Sequence, residues 1–339
     1  MSLIKPGQNK DLLSLNILQS ILFVFAFIVC IFFITTSAAM ATSAPAQPLE
    51  GPGGADYIHN KVISNNYGYD VLQYYLFEPD SPKPDTAPLI LFLHGCGITN
   101  PATYSAWIEH IVKKGNIVVF PIYQSILTSF KQFTANSIQA VSDSIEELKK
   151  ENHVRPDLDK FAIVGHSIGG ILTVNMAALA VKASLPIPLA IMSVQPGRSL
   201  VLPLEDLSLI PSHTLLLTVV GDQDSIAGDE DAKNIFLGTP QIPLENKNFI
   251  IMISDKHGSP SLKADHFAPF GTTSDADSQD YPTDTLDYYC LWKLFEALTD
   301  AAFYGENWEY ALDNAPQQRY MGKWSDGVPV KELIVTDLP

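Results

Sequence analysis

Residues 162–170 read "AIVGHSIGG", an apolar run that feeds Gly165-His166-Ser167-Ile168-Gly169 and continues into a second apolar run. A serine hydroxyl is a weak nucleophile until a neighbouring base takes its proton. Flanking glycines on a strand-to-helix turn present it for that purpose. The turn is sharp, leaves no room for side chains beside it, and lifts Ser167 Oγ clear of the sheet. It also sets the backbone N–H of Ile168 at a helix start, where the dipole favours a developing oxyanion. The competing reading is a glycine-rich turn holding an inert serine.

The other parts such chemistry needs are an oxyanion donor, a base and an acid. In "LILFLHGCG", His94-Gly95 ends an apolar run and Cys96 follows, so the Cys96 backbone N–H is assigned to the oxyanion hole. Its thiol is a weak rival nucleophile, because no glycine turn presents it. The stretch "LTVVGDQDSIAG" offers Asp222 and Asp224 just past an apolar run. The loop "SDKHGSPSLKADHFAPF" offers His257 and His266. A longer excursion lets His266 arch back over the turn, whereas His257 lies closer to the preceding run. His94 and His166 are bound into the motifs and read as packing beside the site. The loop spacing does not fit an EF-hand, which requires Gly and Glu at set positions. The acidic positions Asp275, Asp277, Asp280 and Asp284 read as a solvated loop. No metal or organic cofactor is implied.

These groups need a scaffold that brings distant loops to one edge. Six short apolar runs read as buried parallel strands: "PLILFLHG", "NIVVFPIY", "KFAIVGHS", "PLAIMSVQPG", "HTLLLTVVGD" and "NFIIMISD". "YDVLQYYLFEP" alternates and is expected to be an antiparallel edge strand. Between them lie helical patterns at "PATYSAWIEHIVKKG", at "SIQAVSDSIEELKKE", whose Ile138, Val141, Ile145 and Leu148 share one face, and at "IGGILTVNMAALAVKAS". "TLDYYCLWKLFEALTDAAF" gives a last helix. The alternation predicts an α/β fold: a doubly wound, mostly parallel sheet with helices on both faces. Few residues separate "MSVQPG" from the next strand, leaving no room for a large lid, so the site is expected to open to solvent.

With 46% apolar and 17% charged residues, the chain can bury a large core. Its net charge of −16 repels phosphate backbones and excludes nucleic acid as a partner. Lys5 and Lys10 precede the apolar run "ILFVFAFIVCIFFI", and the small residues of "TTSAAMATSA" follow. That order is a signal peptide over residues 1–41, implying export to the periplasm or beyond. The alternative is a membrane anchor formed by residues 17–38. Residues 42–56 then form a Pro/Gly-rich linker and residues 57–339 a single domain. Cys96 and Cys290 could pair, but Cys290 sits in a helical stretch and reads as a buried free thiol. No obligate protein partner is evident.

On His94-Gly95, on Gly165-His166-Ser167-Ile168-Gly169, and on an acid and a histidine following in that order, the sequence resembles the α/β-hydrolase superfamily. Through "GDQDSIAG" and "DHFAPF" it is most similar to lidless serine esterases of the lipase, cutinase and polyester-hydrolase type. That resemblance implies the Gly-x-x-Asp residue, Asp224, as the acid and His266 as the base, with His257 as the alternative base. Cys96 departs from the pattern, standing where those enzymes carry an aromatic residue. The implied activity is carboxylic-ester hydrolysis through an acyl-enzyme on a small-molecule or lipid-like ester. A thioesterase, acyltransferase or peptidase would use the same residues, and a catalytically silent binding protein would keep the same fold.

Overall fold

Alternation along the strands decides the layering. In β3 (Thr86–Leu93), Ile90 and Phe92 point into one apolar layer, whereas Leu89, Leu91 and Leu93 point into the other. A strand apolar at every position needs cover on both faces. The computed structural model describes residues 41–197, 199–273 and 281–339. The proposed leader or anchor run at residues 17–38 and the acidic positions Asp275, Asp277 and Asp280 lie outside the described residues.

Within Thr42–Pro339, nine strands form one sheet. With β1 (Lys61–Tyr67), β2 (Tyr74–Asp80), β4 (Ile117–Pro121), β5 (Arg155–His166), β6 (Ala190–Val194), β7 (Leu215–Gly221), β8 (Lys247–Met252) and β9 (Ile334–Thr336), the order is β1-β2-β4-β3-β5-β6-β7-β8-β9. The central pairings from β4 to β8 are parallel, while β1–β2, β2–β4 and β8–β9 are antiparallel. This is the doubly wound, mostly parallel sheet expected. One expectation is corrected: β2 is antiparallel but is not the edge. The polar strand β1, "KVISNNY", lies outside it, and β9 closes the opposite edge.

Helix α1 (Ser105–Lys113) and α5 (Lys293–Tyr304) pack in the apolar layer with Phe92, Val118 and Val164. Helices α2 (Phe133–Leu148) and α3 (Ile168–Leu179) pack in the other, with Leu91 and Ile163. Between β7 and β8 runs α4 (Glu230–Leu237), which buries Ala232, Ile235 and Phe236. The loops after β3, β5, β6, β7 and β8 therefore share the carboxyl edge of the parallel strands, where such sheets carry their sites.

The segment from Thr42 to Tyr57 has no regular structure, yet it is tied down. Thr42 C=O accepts from the Ser259 N–H at 2.9 Å, Pro45 C=O from Thr285 Oγ1 at 3.0 Å, and the Gly53 N–H donates to Glu296 Oε2 at 2.7 Å. Both described cysteines are free thiols, Cys96 exposed and Cys290 buried, and burial pushes the Cys290 thiol up to about 12. Among the described residues, no helix is long and apolar enough to cross a membrane.

Candidate active site

Strand β5 ends at His166, and α3 begins at Ile168, so Ser167 alone makes the turn. Its backbone sits at φ 58°, ψ −122°, a conformation that costs a non-glycine residue roughly 1–3 kcal/mol and clusters at functional sites. Both glycines are required by close approach. A Cβ on Gly165 would lie 2.2 Å from Gly169 O, and a Cβ on Gly169 would lie 2.2 Å from Leu93 O. The helix start thus presses directly onto the end of β3.

The structure brings three of the sequence-derived residues together at this turn. His266 Nε2 lies 3.0 Å from Ser167 Oγ, and its Nδ1 lies 2.8 Å from Asp224 Oδ2. All three are buried, with only 7–8% of each residue exposed. Burial alone would raise the Asp224 carboxyl. The hydrogen bond from His266 and those from the Ala227 and Ile226 N–H groups, both 2.9 Å from Oδ1, hold it below the usual carboxylate range. Asp224 therefore stays an anion facing the imidazole.

The two alternative residues sit elsewhere. Asp222 Oδ1 accepts from the Ser254 N–H at 3.0 Å and from Ser254 Oγ at 2.5 Å, bracing the start of the histidine loop. His257 Nε2 lies 2.7 Å from Asp326 Oδ2 and its ring rests near Trp324. It faces the C-terminal segment.

The histidine loop is held at several points. Its Ala264 N–H donates to Ser254 Oγ at 3.0 Å, and its Ala264 C=O accepts from the Gln223 N–H at 3.1 Å. Gln195, at φ 45° just past β6, donates through Nε2 to Asp265 C=O at 2.6 Å. Sequence reasoning passed over Gln195. Its signal was a polar residue at the end of a buried strand beside the serine turn.

On the opposite side, the loop after β3 closes against the serine. A Cβ on Gly95 would lie 3.5 Å from Ser167 Cβ. Cys96 follows it and is exposed. His94 is stacked on Tyr123 with ring centroids 4.2 Å apart, and burial holds it down to about 4. His166 is likewise buried and held down to about 3, by burial first and then by repulsion from His266. Both are neutral packing groups. An open groove of about 1070 Å³ begins at Cys96 and Gly97, with Ile122, Ile126, Leu127 and Phe130 among its walls. Ile126 and Leu127 are fully exposed at its rim. Among the described residues, no cluster of His, Cys, Asp and Glu is arranged to hold a metal ion.

The family model described as Chlorophyllase matches residues 76–200. That stretch runs from β2 to just past β6, so it spans Cys96, Ser167 and Ile168 but stops before Asp224 and His266. No curated protein matches the chain.

Proposed function

We propose that this chain, whose mostly parallel sheet has the α/β-hydrolase fold, cleaves carboxylic esters with Ser167 as nucleophile, His266 as base and Asp224 as the supporting acid. The observation that carries the reading is the single imidazole bridging Ser167 Oγ and Asp224 Oδ2 at a strained serine turn. Ser167 Oγ attacks the ester carbonyl while His266 Nε2 takes its proton and later delivers it to the leaving alcohol. Asp224 fixes the tautomer and stabilises the imidazolium. The N–H groups of Cys96 and Ile168 receive the oxyanion, each worth about 3 kcal/mol or more for a donor of this kind. Water then hydrolyses the acyl-enzyme.

The apolar groove beginning at Cys96 supports an ester with a sizeable hydrocarbon part. The family model's name denotes chlorophyll ester hydrolysis, which favours oxygen esters over thioesters and amides. The N-terminal basic–apolar–small order supports action outside the cytoplasm. A panel of p-nitrophenyl esters with matched thioesters and anilides tests the reading. Oxygen esters are expected to give the highest kcat/KM, and a clear preference for thioesters or anilides would replace it.

A further inference from the structure

Tyr104, from the turn that leads into α1, is fully buried beside the serine, and its hydroxyl touches both halves of the site. Its Oη accepts from the Gly95 N–H at 3.0 Å and lies 2.9 Å from His166 Nδ1. Gly95 precedes Cys96, and His166 precedes Ser167. The Gly95 N–H occupies one lone pair of the oxygen, and in the His166 tautomer whose proton sits on Nε2 the single hydroxyl proton is given to Nδ1. That direction requires a neutral His166, as burial dictates. The ring is clamped by Phe92 at 5.1 Å and Phe270 at 5.3 Å between centroids, so the hydroxyl has little freedom. A Cβ on Gly95 would come within 3.3 Å of Oη. The glycine therefore lets loop, phenol and serine turn close on one another.

We propose that Tyr104 is a positioning residue: its hydroxyl ties the loop after β3 to the serine turn and holds the His94–Gly95 peptide, so that the next N–H, that of Cys96, faces the oxyanion forming at Ser167. The proposal rests on the serine-hydrolase reading above. It adds that the two oxyanion donors, which come from different loops, are set relative to each other by one phenol. A second consequence concerns charge. The His166 and His266 rings lie 4.8 Å apart, so a proton on His166 would oppose the imidazolium that His266 must become. The Tyr104 O–H, by donating to Nδ1, keeps that nitrogen occupied as an acceptor.

Because the phenol acts on oxyanion geometry and leaves the substrate groove alone, its loss should affect the transition state more than ground-state binding. The test compares full-length wild type with Tyr104→Phe, which keeps the ring. Sites are counted by end-point fluorophosphonate titration, so misfolded molecules do not enter kcat. For p-nitrophenyl butyrate, kcat is expected to fall at least about tenfold while KM stays within about twofold; deleting a donor outright costs roughly 10²–10³. Affinity for an alkyl trifluoromethyl ketone should fall by a similar factor. In that adduct the Ser167 Oγ–carbon bond forms, the carbonyl electron pair moves onto oxygen, and the serine proton passes to His266. A kcat within twofold of wild type, or an unchanged ketone affinity, would overturn the proposal. If Tyr104→Phe yields no titratable sites, 3,5-difluorotyrosine at position 104 weakens the acceptor without removing it. It should then lower kcat at least twofold, and an unchanged kcat overturns the proposal. A wild-type protein that neither hydrolyses esters nor titrates overturns the underlying reading, and the assignment of Tyr104 with it.

Discussion

His266 Nε2 lies 3.0 Å from Ser167 Oγ across 99 residues of sequence. The histidine nine positions earlier, His257, is paired with Asp326 instead. Replacing His266 with alanine is therefore expected to lower kcat/KM for a short-chain ester by roughly 10⁴–10⁶. His257→Ala should leave it within about twofold. Steady-state kinetics on the two variants, matched for thermal stability, check this. A large loss in His257→Ala with little in His266→Ala would reverse the assignment.

The contact between Gly169 and β3 is as tight as backbone allows. Alanine there would put its Cβ 2.2 Å from Leu93 O and 2.6 Å from His94 O, and neither atom belongs to a side chain that can swing away. Gly169→Ala is expected to destabilise the protein by about 3 kcal/mol or more. Urea unfolding measures it, and a variant as stable as wild type would show that α3 can retreat freely from the sheet.

Asp287, at the start of the π-helical run Asp287–Trp292 that leads into α5, is fully buried beside Asp284. Burial and then the Asp284 charge push its carboxyl well above the usual value, and burial raises Asp284 to about 6. The folded state thus holds protons that the unfolded chain releases above pH 4. Stability from this pair is complete below that point and is lost as pH rises through 6. Asp287→Asn mimics the protonated acid and still accepts through its amide oxygen from the Asp284 N–H, bonded at 2.8 Å in the wild type. The variant should match wild type near pH 4 and exceed it by about 1 kcal/mol or more at pH 7.5. Thermal unfolding at the two pH values reads the difference directly. A gain that is the same at both values would contradict the account.

Much of this molecule is legible in its sequence for a physical reason. β3 to β8 are central strands covered on both faces, so each is a nearly continuous apolar run. The serine turn announces itself because Gly165 and Gly169 are sterically compelled. The edges are harder to read: β1 is exposed and polar, and β9 is three residues long, so neither carries a burial signal. Helix α4 is short and half exposed, and its pattern is correspondingly weak. Tyr104 and Gln195 escaped for another reason. Their roles come from hydrogen bonds between segments far apart in the chain, and no local spacing records such contacts.

The central claim is that Ser167 is a nucleophile activated by His266. Its most direct measurement is covalent: wild type and Ser167→Ala are treated with a fluorophosphonate, the adduct is mapped by peptide mass spectrometry, and hydrolysis of p-nitrophenyl butyrate is followed in parallel. The account predicts one adduct per chain on Ser167 in the wild type, with hydrolysis, and the loss of both in Ser167→Ala. Hydrolysis that survives in Ser167→Ala, or an adduct on another residue that abolishes activity, would contradict it.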